Sequence, residues 1–370
     1  MKIAVLSDEE RLQWHRLAQC ENVGPITFKQ LLSRFGSAAA ALDALPELSQ
    51  RGSSRRVIRI YDAVRAEADF VTAAQRGAGY VALCEPDYPE LLRNAPAPPP
   101  LICVKGNTDL MKRRMIGVVG ARNASANGMR FTRQIAVELG QAGFVIVSGL
   151  ARGIDTAAHE ASLSNGTIAV VAGGIDHFYP PENAKLQDAI ADRGLVLSEM
   201  PPGTVPKAES FPRRNRIIAG LAEATVVVEA ALRSGSLTTA RFAAEAGREV
   251  YAVPGSPLDP RCEGTNGLIK DGANLLQRAS DISGAQSSFS LRMSEESMPV
   301  PKVYSGHEIQ GALRARVSEL LSPAPVEVDD LVRESGGSPE EIQGILLELE
   351  LAGEIQRSSG GRVARIGSFA

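Results

Sequence analysis

The chain of 370 residues is long enough for two or three domains, and its 44% apolar and 22% charged residues are typical of a globular protein in water. No apolar run reaches the roughly 18 residues that a membrane span needs, and the early charges argue against a secretory signal. The four scattered cysteines fit neither a zinc pattern nor a disulfide framework, so a cytoplasmic location is expected. The net charge of −3 excludes a strongly basic protein.

Residues 1–80 are predicted to form a small helical domain. The stretch ENVGPITFKQLLSRFGS places a Gly24-Pro25 turn before a helix, as in a helix-hairpin-helix, whose turn amides can hold a phosphate. A plain helical turn is the alternative. Residues 86–106 are rich in proline and predict an irregular connector.

A regular alternation of strands and helices follows between residues 113 and 255. The apolar runs, such as MIGVVG, FVIVSG and ATVVVEA, are separated by helix-periodic segments that mostly end in glycine. This pattern predicts a doubly wound, extended Rossmann-like parallel sheet of the α/β class over residues 81–280. In such sheets ligands bind beyond the carboxyl ends of the strands. Residues 111–280 contain 19 Lys and Arg against 16 Asp and Glu, which permits an anionic ligand there.

The C-terminal part predicts a linker and a third domain. Residues 281–312 are polar and predict a flexible linker, and residues 313–370 predict three helices and a hairpin, which describe a winged helix. Its third helix, SPEEIQGILLELELAGEI, has several glutamates and no Lys or Arg. Because phosphate contacts dominate DNA affinity, protein contact or tethering is expected of this helix rather than duplex recognition. The hairpin arginines leave weak non-specific binding open.

The segments after the predicted strands are rich in glycine and small polar residues. The first, GARNASANG, lacks G-x-G-x-x-G, and no acidic residue ends the second strand, so NAD and FAD are disfavoured and no cofactor is expected. Such turns suit anions, because backbone amides and helix N-termini attract negative charge. The candidate nucleic-acid-binding residues in these turns are Arg122, Ser148, Gly149, Arg152, Gly173, Gly174, Ser234, Gly235, Ser236, Thr265 and Asn266.

The segment FPRRNR crowds three arginines at the start of a helix, where each cation is unfavourable by about 0.3–1 kcal/mol. An incoming chain of phosphates would offset this repulsion. An aromatic residue beside cations suits a single strand, whose bases stack while its phosphates pair. The sequence therefore adds to the predicted surface Lys207, Phe211, Arg213, Arg214, Asn215 and Arg216.

Other interpretations of the strand-end residues remain open. Asp155 and His159 could form an acid–base pair, or could be a helix cap and a packed histidine. His177 and Tyr179 could stack on a base or seal the end of the sheet. A magnesium site would require the convergence of four carboxylates, those of Asp155, Asp176, Glu199 and Glu229.

Taken together, six stretches resemble the DNA-processing protein A family, also called Smf, over roughly residues 85–280. They are GVVGARNASANG, SGLARGIDTAAHEASL, GTIAVVAGGIDHFYPPENAKL, FPRRNRIIAGLAEATVVVEA, SGSLTTARFAAEAGREVYAVPG and EGTNGLIKDGANLL. The resemblance implies a non-enzymatic protein that protects incoming single-stranded DNA in natural transformation, loads the recombinase RecA, and dimerises through its α/β domain. It implies DNA binding by basic residues of the strand-end face, here Arg122, Lys207 and the 213–216 segment.

The alternative is a nucleotide-processing enzyme of the phosphoribohydrolase type that uses the same strand-end pocket. Such enzymes carry P-G-G-x-G-T-x-x-E, in which a glutamate serves catalysis. The nearest stretch here, EAALRSGSLTTARFAAE, lacks that pattern.

Overall fold

The computed structural model describes residues 3–50, 58–282, 311–321, 325–358 and 361–366. The chain divides into two compact units, one with Met1–Leu6 and Glu67–Met293 and the other with Ser7–Ala66 and Ser294–Ala370. Segments near both ends of the chain therefore share one unit, and the α/β domain forms the other. Within the described ranges, no helix combines the length and the apolar character needed to cross a membrane.

The first unit is built on a nine-stranded sheet with the order β1-β2-β6-β5-β4-β3-β7-β8-β9. The strands from β3 to β9 pair in parallel, and β1 and β2 add an antiparallel edge. The strand bounds are β1 Ala78–Ala82, β2 Leu101–Gly106, β3 Met115–Gly120, β4 Val145–Ser148, β5 Thr167–Val170, β6 Leu195–Ser198, β7 Ala224–Val228, β8 Glu249–Ala252 and β9 Asn274–Leu275.

The helices follow the predicted alternation. Their bounds are α1 Asp8–Ala18, α2 Pro25–Phe35, α3 Ala38–Gln50, α4 Ala63–Gln75, α5 Glu90–Arg93, α6 Ala126–Gln141, α7 Ile154–Ser162, α8 Ala184–Arg193, α9 Ser210–Leu221, α10 Gly235–Glu245, α11 Glu263–Lys270, α12 Gly311–Leu320, α13 Val328–Ser335 and α14 Pro339–Leu351. The extended Rossmann-like fold class is thus confirmed. The prediction of an irregular connector over residues 86–106 is wrong in part, because this segment contains α5 and β2.

Burial explains why the central strands are continuously apolar. Every residue of β4, β5, β6 and β7 is buried, so both faces of the sheet are covered. The chain order reverses between β3 and β7, since β4 to β6 lie on one side of β3 and β7 to β9 on the other. A crevice beyond the carboxyl ends of the strands is expected at such a switch point.

The second unit contains the N-terminal helices and a winged helix. Helices α12, α13 and α14 pack with a three-stranded sheet of order β10-β12-β11, formed by Val326–Glu327, Arg362–Arg365 and Ile355–Ser358. This confirms the winged helix, although no pattern in the sequence indicated the short β10. Ser338 caps α14 in a reciprocal capping box with Glu341, which fixes where that helix begins.

Candidate nucleic-acid interface

Arg214 points from α9 into the sheet and is only 6% exposed. Its Nη1 donates to the carbonyl oxygens of Gly149 and Val170, the latter at 2.7 Å, so one guanidinium ties together the ends of β4 and β5. Burial lowers the pKa of Arg214 to about 10, against the opposing charge of Asp155, so the group stays protonated at neutral pH. Its Nη2 forms no hydrogen bond with the described residues and is not sealed from solvent.

Asp155 holds the loop between β4 and α7. Its Oδ2 accepts from the amides of Gly149 at 3.1 Å and Ala151 at 3.3 Å, on either side of Leu150. Leu150 has a φ of 56°, and its carbonyl accepts from Asn183 at 2.9 Å. A left-handed leucine costs about 1–3 kcal/mol, so these bonds hold a strained turn at the end of a strand.

The prediction that Asp155 caps α7 is wrong, because the N-cap is Gly153, which has no side chain to accept a hydrogen bond. The carboxylate instead reaches back to the preceding loop. Burial raises the pKa of Asp155, and the charge of Arg214 opposes the shift.

His159 is a packed histidine. It is fully buried, with Nδ1 2.7 Å from Oγ1 of Thr167. Burial, followed by the charge of Arg214, lowers its pKa to about 3. A histidine that stays neutral at every physiological pH and has no access to solvent cannot exchange protons with a substrate, so the packed-histidine half of the second interpretation holds although the cap does not.

A small pocket opens beside Arg214 at the ends of β3, β4 and β5. It is lined by Arg122, Gly149, Ala151, Val171, Ala172, Gly173, His177, Tyr179, Phe211 and Arg214. Its volume of about 10 Å³ gives room for about one water molecule. A nucleotide would therefore lie across the pocket rather than inside it.

Aromatic rings and a cation form the rim of this pocket. The guanidinium carbon of Arg122 lies 5.3 Å from the centre of the Phe211 ring, within the range of a cation–π interaction. The Tyr179 ring lies 5.3 Å from that of Phe211 and is 45% exposed. The sequence left the role of Tyr179 and His177 open, and the structure places both in the pocket wall.

The cations predicted for this surface fall into two groups. Arg122, Lys207 and Arg213 are exposed and form no ion pair with any residue in the described part of the chain. Arg216 is engaged, since its guanidinium binds the Glu199 carboxylate and the Ala97 carbonyl. Three cations thus remain available to an incoming anion.

Arg152 forms an exposed ion pair with Glu182. Exposed ion pairs contribute about 0–1 kcal/mol to stability, so breaking this pair to bind a phosphate would cost little free energy.

Several predicted residues shape the loops instead of facing the pocket. Ser148 is buried and donates to the carbonyl of Val118 at 2.6 Å, so its hydroxyl is not free for a ligand. A Cβ on Gly173 would lie 2.7 Å from the Thr204 carbonyl, and one on Gly174 would lie 2.6 Å from that of Pro201. Because these glycines have no side chain, the loop that follows β6 can pack closely against them. Gly173 also lines the pocket.

The turn before α10 lies outside the pocket lining. Ser234 is the N-cap of α10, its Oγ lies 2.7 Å from that of Ser236, and Asn215 donates to the carbonyl of Gly235 at 3.2 Å. The turn is partly exposed.

The first turn of α11 is closed by its own bonds. Thr265 is buried and donates to Cys262 at 3.1 Å, and both ends of the Asn266 amide bond to Gly255, at 3.2 and 3.0 Å. Neither side chain is free to meet a ligand.

The carboxylates that would have formed a magnesium site do not gather into one. Among the described residues, no three His, Cys, Asp or Glu side chains lie close enough together to hold a metal ion. Glu229 instead accepts from the amide of Ser125 at 2.8 Å, which fixes the start of α6.

The fold and the pocket define an extended Rossmann-like protein with a cationic, aromatic strand-end face, accompanied by a small helical domain and a winged helix. The family model for DNA recombination-mediator protein A matches residues 79–286, that for the DprA-like N-terminal HHH domain residues 8–71, and that for the DprA winged helix domain residues 307–361. The chain therefore belongs to the DNA-processing protein A (DprA/Smf) family.

Individual relatives agree with this assignment. Protein Smf from Synechocystis sp. is 31% identical over 398 residues, covering 97% of this chain and 100% of the relative. DNA processing protein DprA from Streptococcus pneumoniae is 48% identical over 197 residues, covering 53% of this chain and 70% of the relative.

Two solved structures are similar to this one. The X-ray structure of Streptococcus pneumoniae DprA has a TM-score of 0.64 at 36% identity and covers 77% of this chain and 98% of its own. A Helicobacter pylori DprA structure, described for its single-stranded DNA binding mode, has a TM-score of 0.53 at 28% identity and covers 57% of this chain and 96% of its own.

Proposed function

We propose that this protein holds single-stranded DNA on the strand-end face of its α/β domain and does so without catalysis. The observation that carries the proposal is the grouping of Arg122, Tyr179 and Phe211 over the accessible edge of Arg214. Rings and cations side by side suit a flexible strand, because the bases stack and the phosphates pair. The single-stranded DNA binding of the Helicobacter pylori relative supports the same function.

The exposed cations suggest how a strand extends beyond the pocket. Lys207 and Arg213 precede or begin α9, which also carries Phe211. Arg122, in the loop after β3, lines the pocket together with Phe211. A strand that runs over Phe211 would meet Arg122 beside the ring and Arg213 two residues further along α9, which suits more than one phosphate.

The alternative function, a nucleotide-processing enzyme, is supported by fewer features of the pocket. His159 is buried with a pKa of about 3, and the pocket has room for about one water molecule. A mononucleotide turnover assay separates the two functions, since release of free base would establish the enzyme.

The decisive experiment titrates a fluorescent oligonucleotide at several salt concentrations, with a matched duplex as competitor. We expect binding that weakens with salt and that the duplex fails to displace. Replacing both Arg122 and Arg213 by alanine should weaken binding and flatten the plot of log affinity against log salt by about 0.7 for each phosphate that the protein no longer neutralises.

A control is Arg193→Ala, which removes one positive charge, half of what the double variant removes, from an exposed position at the end of α8, just before the amino end of β6. It should leave affinity and salt slope unchanged. The proposal fails if Arg193→Ala weakens binding as much as the double variant, or if single strands bind no better than duplex.

We further propose that the bound strand is incoming DNA in natural transformation, that it is passed to the recombinase RecA, and that the protein acts as a homodimer through its α/β domain. Membership of a family described as recombination mediators supports the transfer step. In a test on single strands coated with a single-strand-binding protein, addition of this protein should shorten the lag before RecA assembles. Sedimentation at rising protein concentration tests the dimer.

A further inference from the structure

The two elements of the second unit that resemble DNA-binding motifs lie against each other. The turn between α1 and α2 has the form of a helix-hairpin-helix, and α14 is the third helix of the winged helix. Nδ2 of Asn22, in that turn, donates to the carbonyl of Leu351 at 3.2 Å. The last carbonyls of a helix have no hydrogen-bond partner within it, so Asn22 caps the C-terminus of α14. The turn that carries Asn22 is also the part of a helix-hairpin-helix that would be expected to bind a phosphate.

Helix α14 buries two different stripes of side chains. One stripe, formed by Ile342, Ile345, Leu346 and Leu349, packs in the core of the winged helix. The second stripe runs along Gln343, Leu347, Glu350 and Leu351, at the i, i+4, i+7 and i+8 spacing of a separate helix face. Leu347 and Leu351 are also buried, so this face is covered by protein.

A polar network joins the second stripe to α2. Nε of Arg357 donates to Glu350 at 3.0 Å, and its Nη1 donates to Gln343 at 3.0 Å. The side-chain amide of Gln30, in α2, lies 3.1 Å from Gln343 and 3.3 Å from the Arg357 guanidinium. The Glu350–Arg357 pair is largely buried. A buried ion pair demands fixed geometry, so this network selects one way of docking the two domains.

We propose that the second stripe of α14, defined by Gln343, Leu347, Glu350 and Leu351, is a docking surface for the N-terminal helical domain of the same chain. The two motifs mask each other: the hairpin turn caps α14, and α14 covers the hairpin. Two of the glutamates that make α14 unsuitable for DNA are paired within the winged helix itself, Glu350 with Arg357 and Glu348 with Arg314. Duplex DNA therefore finds neither motif available.

The single tryptophan of the chain makes this testable in the intact protein. Trp14 lies in α1, buried edge-to-face against Phe28 of α2 at 5.0 Å, so its fluorescence reports the N-terminal helical domain. Arg357→Gln replaces a residue of the winged helix whose guanidinium also lies beside Gln30 of α2. We expect it to lower the denaturant midpoint of the Trp14 transition, because Glu350 is left buried without its cation. Arg333→Gln, at an exposed position of α13 in the same winged helix, is the matched control and should leave the midpoint unchanged.

A reciprocal measurement guards against simple unfolding of the winged helix. Gln30→Ala in the full chain should speed hydrogen exchange in residues 339–351 by about tenfold, because coupling between two sites acts equally in both directions. A saturating duplex oligonucleotide should leave exchange in residues 19–35 and 339–351 unchanged. The proposal is overturned if Arg357→Gln leaves the Trp14 midpoint where it was, if Gln30→Ala changes nothing in α14, or if duplex protects or exposes either segment.

Discussion

Replacing Arg214 by alanine should destabilise the α/β unit far more than a surface change. The substitution removes both hydrogen bonds to the Gly149 and Val170 carbonyls, at a position that is 6% exposed. It also leaves the Asp155 carboxylate without the cation that opposes its burial. Removing one partner from a buried charged network costs about 3–5 kcal/mol. Arg214 is therefore expected to hold the pocket in shape before it meets any ligand.

Urea unfolding followed by far-UV circular dichroism measures this cost. Trp14 fluorescence follows the second unit separately, so the two transitions can be told apart. Arg213→Ala is the companion variant: its exposed side chain should change stability by no more than about 0.5 kcal/mol while weakening DNA binding. If Arg214→Ala stays within about 1 kcal/mol of the wild type, or if Arg213→Ala proves equally damaging, the structural role assigned to Arg214 is refuted.

Two further variants probe the same loop. Gly149→Ala would place a Cβ in steric clash with Nη1 of Arg214, so we expect the guanidinium to be displaced and both stability and oligonucleotide affinity to fall, as urea unfolding and titration would show. His159 binds a proton in the unfolded chain near pH 6.5 but in the folded chain only near pH 3. Between these values the unfolded state holds more protons, so stability falls as the pH falls, by up to about 1.4 kcal/mol per pH unit. In His159→Gln, the free energy of unfolding should lose this part of its dependence on pH. The opposing contribution of Asp155 is present in both proteins and cancels when they are compared. Identical pH profiles of unfolding free energy would contradict the prediction.

The sheet could be predicted from sequence because each central strand is buried on both faces and reads as an unbroken apolar run. The antiparallel edge of the sheet was harder to predict. Strand β2 pairs antiparallel with β1 and β6, and its apolar run LICV follows directly on a proline-rich segment that resembles a loop. The two-residue β10 is too short to leave any periodic signal.

The site could be predicted only as a neighbourhood. Strand-end loops converge in any parallel sheet, so the sequence predicts a binding site at that edge, and a small pocket lies there. The arginines were treated as one surface, but a helix turns by about 100° per residue, so three within four positions cannot face the same way. Arg213 faces solvent, Arg214 enters the sheet, and Arg216 binds Glu199. Which of them faces inward depends on how α9 is rotated, and its sequence alone does not settle that.

The contact between Asn22 and Leu351 also has a meaning for the order in which the chain is made. The helices of the N-terminal domain leave the ribosome before the winged helix does, and the surface that covers them is translated more than 300 positions later. At about 5–20 residues per second, the hairpin waits many seconds beside a growing chain before its cover arrives. Contacts between residues so far apart in sequence form late, because the entropy cost of closing a long loop comes before the contact can stabilise the chain. The helical domain is thus synthesised before the winged helix but is completed only when the winged helix has been made.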